Sequence, residues 1–298
     1  MSETTVVLRG KISDATDLRS VVRTMKSVAA AQIGQYESAI AALDDYLNAV
    51  ELGLQACLRN PPAARANVQS PTGKKEKIAG FIVFGSDQGL VGRFNDSIAL
   101  FTLNQIKDPA RKTLIWSVGE RVRGSLNDVN LVSLRTFAVP TSAKAITPFV
   151  DQILLDCESR LSRHEVDELS LVYNQMLPGA VYQPVCVHLL PLDETWKDAA
   201  NLPRWPKTSL PQVIGQMPIT MAKLLSEFIF ISIFRASAQS LASENASRLQ
   251  AMQRADENIK TLLNELTIKF HRQRQSGIDE ELFDVISSFE ALTSSNTH

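Results

Sequence analysis

The chain has 298 residues, 44% of them hydrophobic, and a formal net charge of −1, which suits one large or two modest domains with a real apolar core. A pI near 6.5 lacks the basic excess of a nucleic-acid binder. Three scattered cysteines, Cys57, Cys157 and Cys186, have no CxxC spacing and read as reduced thiols rather than a disulfide or metal framework.

All thirteen prolines lie between Pro61 and Pro218, so the first 60 and last 80 residues contain none. Proline breaks helix interiors, and its absence permits two very long helices, roughly 85 and 110 Å at about 1.5 Å per residue. Residues 1–11 have neither the apolar core of a signal peptide nor an Arg-rich transit pattern. In the first helix Leu18, Val22, Met25, Ala29, Ile33, Tyr36, Ile40, Leu43, Leu47, Val50 and Leu54 follow one another in steps of three and four, the seam of a coiled coil. Asn60-Pro61-Pro62 ends it, giving an N-terminal coiled-coil helix over 1–60.

The pattern then changes. Strands are predicted at 77–84, 112–118, 130–134, 169–176 and 185–190, with helices at 93–107, 119–126 and 147–161; Thr141 or Ser142 is a candidate cap for the last of these. This alternation predicts an α/β fold over 74–190, a Rossmann-like domain inserted between the long helices. Residues 191–218, with five prolines counting both ends, read as an irregular return, and 219–292 as the C-terminal coiled-coil helix. Its stripe runs through Leu224, Phe228, Ile231, Ala238, Leu241, Asn245, Leu249, Met252, Ile259, Leu262, Leu266 and Phe270, with Asn245 a polar seam residue of the kind that sets register. The run Phe228–Phe234 is too short to span a bilayer. Two amphipathic helices lying on a globular core is the alternative to an antiparallel coiled coil.

Catalytic signatures are missing. The turn after the first strand spaces Gly85, Gly89 and Gly92 as G-x3-G-x2-G, which is neither GxGxxG nor a phosphate loop ending in Gly-Lys-Ser/Thr. Gly85, Asp87, Gly89 and Gly92 read as a structural tight turn, with Asp87 capping the next helix or bonding its own backbone. The four histidines have no metal-type spacing, so neither a metal nor a cofactor is expected. Asp279, Glu280, Glu281 and Asp284 read as a solvated face or as a charged contact surface.

If the two helices pair from a common base, the second outlasts the first by roughly 18 residues, or about 27 Å. That tip keeps an apolar stripe, Ile278, Leu282, Val285, Phe289 and Leu292. A solitary helix has no reason to keep such a stripe in water, so an apolar sleeve from other chains is expected unless Gly277 breaks the helix and folds the tip back.

Four blocks carry a resemblance: Thr24-Met25-Lys26-Ser27-Val28-Ala29-Ala30-Ala31, Ser86-Asp87-Gln88-Gly89-Leu90-Val91-Gly92, Leu241-Ala242-Ser243-Glu244-Asn245-Ala246-Ser247-Arg248 with Ala251-Met252, and Leu266 through Arg274-Gln275 to Leu282. In order and spacing, over nearly the whole chain, they resemble the gamma subunit of F-type ATP synthases. The resemblance implies a non-catalytic central rotor shaft, one copy per complex. Its partners would be a hexamer of alpha and beta subunits, an epsilon-type subunit and a membrane ring of c-type subunits. It implies a peripheral place on the cytoplasmic face of a bacterial inner membrane, with ATP synthesis coupled to proton transport. Met25 and Lys26 match the segment near the beta-subunit lever, and Arg274 and Gln275 the pair that meets a beta-subunit loop. Asp279 stands where threonine is usual, and Ser288-Phe289 where Gly-Ala is usual. These departures fit a divergent branch, with a sodium-translocating enzyme as the alternative. A homodimerising coiled-coil scaffold and a nucleotide-dependent α/β enzyme are the rival classes.

Overall fold

A computed structural model describes residues 4–59, 77–106, 112–177, 180–192 and 214–295, with backbone alone at 59, 180, 181 and 289–295. In chain order the elements are α1 (Thr5–Arg59), β1 (Ala79–Phe84), α2 (Phe94–Gln105), β2 (Thr113–Val118), α3 (Glu120–Asp128), β3 (Arg135–Phe137), α4 (Ile146–Ser162), β4 (Glu168–Leu177), β5 (Ala180–Leu190) and α5 (Met217–Ser295). The expected chain end of α1 at Asn60-Pro61-Pro62 and most of the proline-rich return lie outside the described residues. The chain divides into two compact units, Ala29–Arg248 and Met1–Val28 with Leu249–His298.

In the unit Ala29–Arg248 the sheet has the order β3-β2-β1-β4-β5, parallel except for β5, which runs antiparallel to β4. Every residue of β1 is buried, as a central parallel strand covered on both faces requires. Its side chains alternate: Phe81 and Val83 pack with Ile98 and Ala99 of α2 and Val122 and Leu126 of α3. Ile82 and Phe84 belong to the opposite cluster, which holds Phe149, Val150 and Ile153 of α4, Tyr36, Val50 and Leu54 of α1, and Phe228, Ile231 and Ile233 of α5. Among the described residues α5 is the helix whose length and composition would let it cross a membrane. Its apolar run Phe228–Phe234 instead feeds this core.

Several expectations need correction. The third strand lies at Arg135–Phe137, not 130–134, because Leu131 packs under the sheet from a turn without joining a ladder. β5 begins at Ala180 and runs through Pro184, which an edge strand tolerates because its outer side carries no ladder. Ser142 precedes a 3-10 turn at Ala143–Ala145 and makes no side-chain cap bond to α4. α5 starts one residue before Pro218, which sits in the first turn where its missing N–H costs nothing.

In the unit Met1–Val28 with Leu249–His298, α1 and α5 run antiparallel: Arg9 stacks over the Phe270 ring and Arg19 pairs with Asp256 at 2.8 Å. Buried residues recur every seven positions, Leu8, Ala15 and Val22 on α1 and Met252, Ile259 and Leu266 on α5, and Ala15, Val22, Met252 and Ile259 pack together. This repeat places Arg19, not Leu18, beside the seam; Leu18 is exposed. The Arg19 guanidinium, with a weaker contribution from Arg23, holds the Asp256 carboxyl below its usual range. α5 continues unbroken through Gly277, so the tip does not fold back.

Candidate docking surface

The turn after β1 is built from side-chain-to-backbone bonds. Asn95 Oδ1 accepts from the Ser86 N–H at 2.9 Å, and its Nδ2 donates to Ser86 Oγ at 2.8 Å. Asp87 accepts from the Glu120 N–H through Oδ1 at 2.9 Å and from the Val139 N–H through Oδ2 at 2.8 Å. Asp87 therefore caps α3 and ties β3's exit to the turn; it does not cap α2, the next helix in sequence. A carboxylate already holds the N–H groups that an anion would seek here.

Gly85 has no room for a Cβ, which would run into Val122 and Asn95, and Gly92 takes a left-handed φ of 60°. Gly89 meets neither demand: the nearest side-chain atom to an added Cβ is the Arg121 guanidinium, 3.8 Å away. Leu90 takes the other left-handed position, at φ 63°.

This turn is held against α5 by two serines of the Leu241–Arg248 block whose bonding was not expected from sequence. Ser247 Oγ donates to the Val91 carbonyl at 2.6 Å, and Ser243 Oγ to the Asn174 carbonyl at 2.9 Å. Asn174 in turn donates to the Phe94 carbonyl at 3.3 Å. Small hydroxyls let the helix approach the sheet closely while satisfying buried carbonyls. Asn245 donates to Leu241 of its own helix, so its polarity is settled within α5. Glu244 is buried and pairs with Arg248 at 2.6 Å; burial first, and Asp87's charge with it, push its carboxyl up against the pull of Arg248.

The contact residues expected from sequence are differently placed. Met25 is half-buried against the seam cluster of Ala15, Val22, Met252 and Ile259, and Lys26 is half-buried as well. Arg274 and Gln275 are exposed. On the tip Ile278 is 47%, Leu282 54% and Val285 67% exposed, and two neighbours not singled out from sequence, Phe283 at 71% and Ile286 at 52%, widen the apolar surface. The Phe289 side chain lies outside the described residues. Five large apolar side chains on one helical segment thus face solvent with no cover from described residues of this chain.

The family model describing ATP synthase matches residues 4–292. ATP synthase gamma chains are similar along their length: that of Syntrophus aciditrophicus is 27% identical, with 96% of this chain and 97% of the relative covered. Those of Granulibacter bethesdensis (29%, 96% and 98% covered) and Nostoc punctiforme (28%, 96% and 98% covered) are comparable. Among solved structures, the rotor of the Euglena gracilis mitochondrial ATP synthase aligns with a TM-score of 0.62 at 18% identity, covering 92% of this chain and 98% of that one. The central stalk of the Tetrahymena thermophila enzyme aligns with a TM-score of 0.56 at 20% identity, covering 79% and 99%. At these identities the structural likeness speaks to fold.

Proposed function

We propose that this chain, which belongs to the ATP synthase gamma-chain family, turns as the central shaft of an F-type ATP synthase and couples ion flow to ATP synthesis or hydrolysis. It works as a peripheral subunit of a membrane complex, on the cytoplasmic face of a bacterial inner membrane. The tip of α5 sits within a hexamer of alpha- and beta-type subunits. The unit Ala29–Arg248 meets an epsilon-type subunit and a ring of c-type subunits. ATP chemistry belongs to the beta-type subunits, and this chain contributes no catalytic group.

Its mechanism is differential contact. A shaft whose faces differ presents each beta-type subunit with a different surface and biases that subunit between open and closed states by the difference in contact energy. Met25 and Lys26 act near the beta lever, Arg274 and Gln275 at a beta loop, and Ile278, Leu282, Val285 and Phe289 inside the sleeve. The observation that carries this reading is the exposed apolar stripe on the tip. Burying such side chains is worth on the order of 1–3 kcal/mol each, which partner chains would recover on assembly.

Co-expression with alpha- and beta-type chains tests it. The complete chain is expected to co-purify with them and to support ATP-driven ion transport. A chain lacking residues 277–298 should keep a folded sheet unit yet lose coupling. Full coupling after that deletion overturns the sleeve assignment.

A further inference from the structure

The tip carries a charge pattern that the helix cannot satisfy by itself. Residues 260–275 hold Lys260, Lys269, Arg272 and Arg274 against one acid, Glu265. Residues 276–298 hold Asp279, Glu280, Glu281, Asp284 and Glu290 with no lysine or arginine. Ion pairs on a helix form at three- and four-residue spacing. At those distances from Asp279 and Glu281 there is no cation in the sequence, and Glu281 has Asp284 three residues on, a like-charge neighbour.

Position around the helix gives these acids distinct roles. At about 100° per residue, Ile278, Leu282, Val285 and Ile286 share an arc roughly 100° wide. Asp279 and Glu281 fall at its two borders, with Phe283 just beyond Asp279. Glu280 and Asp284 point roughly opposite. A partner that covers the apolar arc therefore brings its rim onto Asp279 on one side and Glu281 on the other. Each carboxylate would lose water there, and a partly desolvated carboxylate without a cation is costly.

We propose that the surface covering the tip is an apolar trough edged on both sides by lysine or arginine side chains that face Asp279 and Glu281. This rests on the shaft reading above and deepens it by assigning the chemistry of the covering chains. A second copy of this chain fits poorly, since its tip would set acids against acids, and an anionic lipid surface is repelled for the same reason.

The test compares two double variants in the complex co-expressed with alpha- and beta-type chains. Asp279→Lys with Glu281→Lys reverses the borders; Glu280→Lys with Asp284→Lys reverses the far side. The border variant should leave the complex about tenfold faster or more at low salt, and the defect should shrink as salt is raised. The far-side variant should stay within about twofold of the natural chain. In the isolated chain the border variant should instead show slower amide exchange over 278–288, because Glu281→Lys turns a like-charge neighbour into a pair with Asp284. A merely structural role would move both readouts the same way. Equal loss from both variants, no loss from either, or an isolated homodimer that Leu282→Asp converts to monomer overturns the proposal. If the natural chain is not retained by the alpha- and beta-type chains at all, the shaft reading fails instead.

Discussion

Two stretches of α5 meet opposite environments. Around Phe228–Ser247 the helix is pressed against a sheet, with Ile231 and Ile233 fully buried and Ser243 and Ser247 bonded to carbonyls of β4 and of the turn after β1. Around Ile278–Ile286 the same helix shows large apolar residues to solvent and bonds to nothing outside itself among the described residues. Apolar content alone does not separate them. What separates them is whether this chain supplies the covering surface, and that marks one stretch as architecture and the other as an interface awaiting partners.

That contrast predicts opposite rankings for equivalent substitutions. Ile233→Ala should cost the isolated chain about 3–4 kcal/mol through lost burial and an unfilled cavity, lowering the denaturant midpoint. Leu282→Ala should cost it less than about 0.5 kcal/mol. In the assembled complex Leu282→Ala should weaken coupling of ATP hydrolysis to ion transport, and equal destabilisation of the isolated chain by both would erase the distinction. Leu249→Pro comes next. It cuts α5 after the sheet-bound stretch at a cost of about 3 kcal/mol and should uncouple hydrolysis from transport. Unchanged transport would show that torque does not pass along an intact α5.

Much of this architecture could be read from residues alone, because proline distribution and three-four periodicity are backbone and burial signals that survive without tertiary knowledge. The misreadings share a cause. Leu18 looked like a seam residue because it is apolar, yet the seven-residue repeat from Leu8 assigns the seam's neighbour position to Arg19, which is half-buried and reaches Asp256 through its guanidinium. Residues 130–134 looked like a strand because Leu131 and Val132 are apolar, but Leu131 is only partly buried against the α2–α3 side of the sheet and the ladder begins at Arg135. Asp87 was expected to cap the following helix or bond its own backbone and instead serves α3, a contact 33 residues away. Ser243 and Ser247 stand in a block that carries the resemblance, but their anchoring bonds could not be foreseen because their partners are carbonyls, which every residue has. For the tip, periodicity exposed the stripe, while Phe283 and Ile286 needed coordinates to show how far it spreads.

The sheet-bound region also has a pH-sensitive tie. Asp156 accepts from Trp116 Nε1 at 2.6 Å and from Arg135 at 2.9 Å, joining α4 to β2 and β3. Burial alone would raise its pKa, but the Trp116 and Arg135 hydrogen bonds and the Arg160 charge outweigh it and lower it. A depressed folded-state pKa adds stability that is present above the unfolded value, near 3.8, and lost as pH falls through the folded one. Asp156→Asn should therefore lower stability at neutral pH by about 1–3 kcal/mol and flatten the acid limb of the unfolding curve below about pH 4. A parallel downward shift at every pH would assign the loss to packing.

The smallest expected effect is at Gly277, where the tip begins. An added Cβ there meets nothing within 4 Å, and no left-handed φ calls for glycine. Alanine favours a helix over glycine by about 1 kcal/mol, so Gly277→Ala should slow amide exchange over the tip by roughly fivefold in the isolated chain. If the tip acts as a straight extension of α5, ATP-driven transport should be unchanged or slightly improved by this stiffening. A clear loss of coupling, alongside the gain in protection, would mean that the glycine is kept as a point of bending inside the sleeve, and that the tip works as a jointed contact instead of a rigid one.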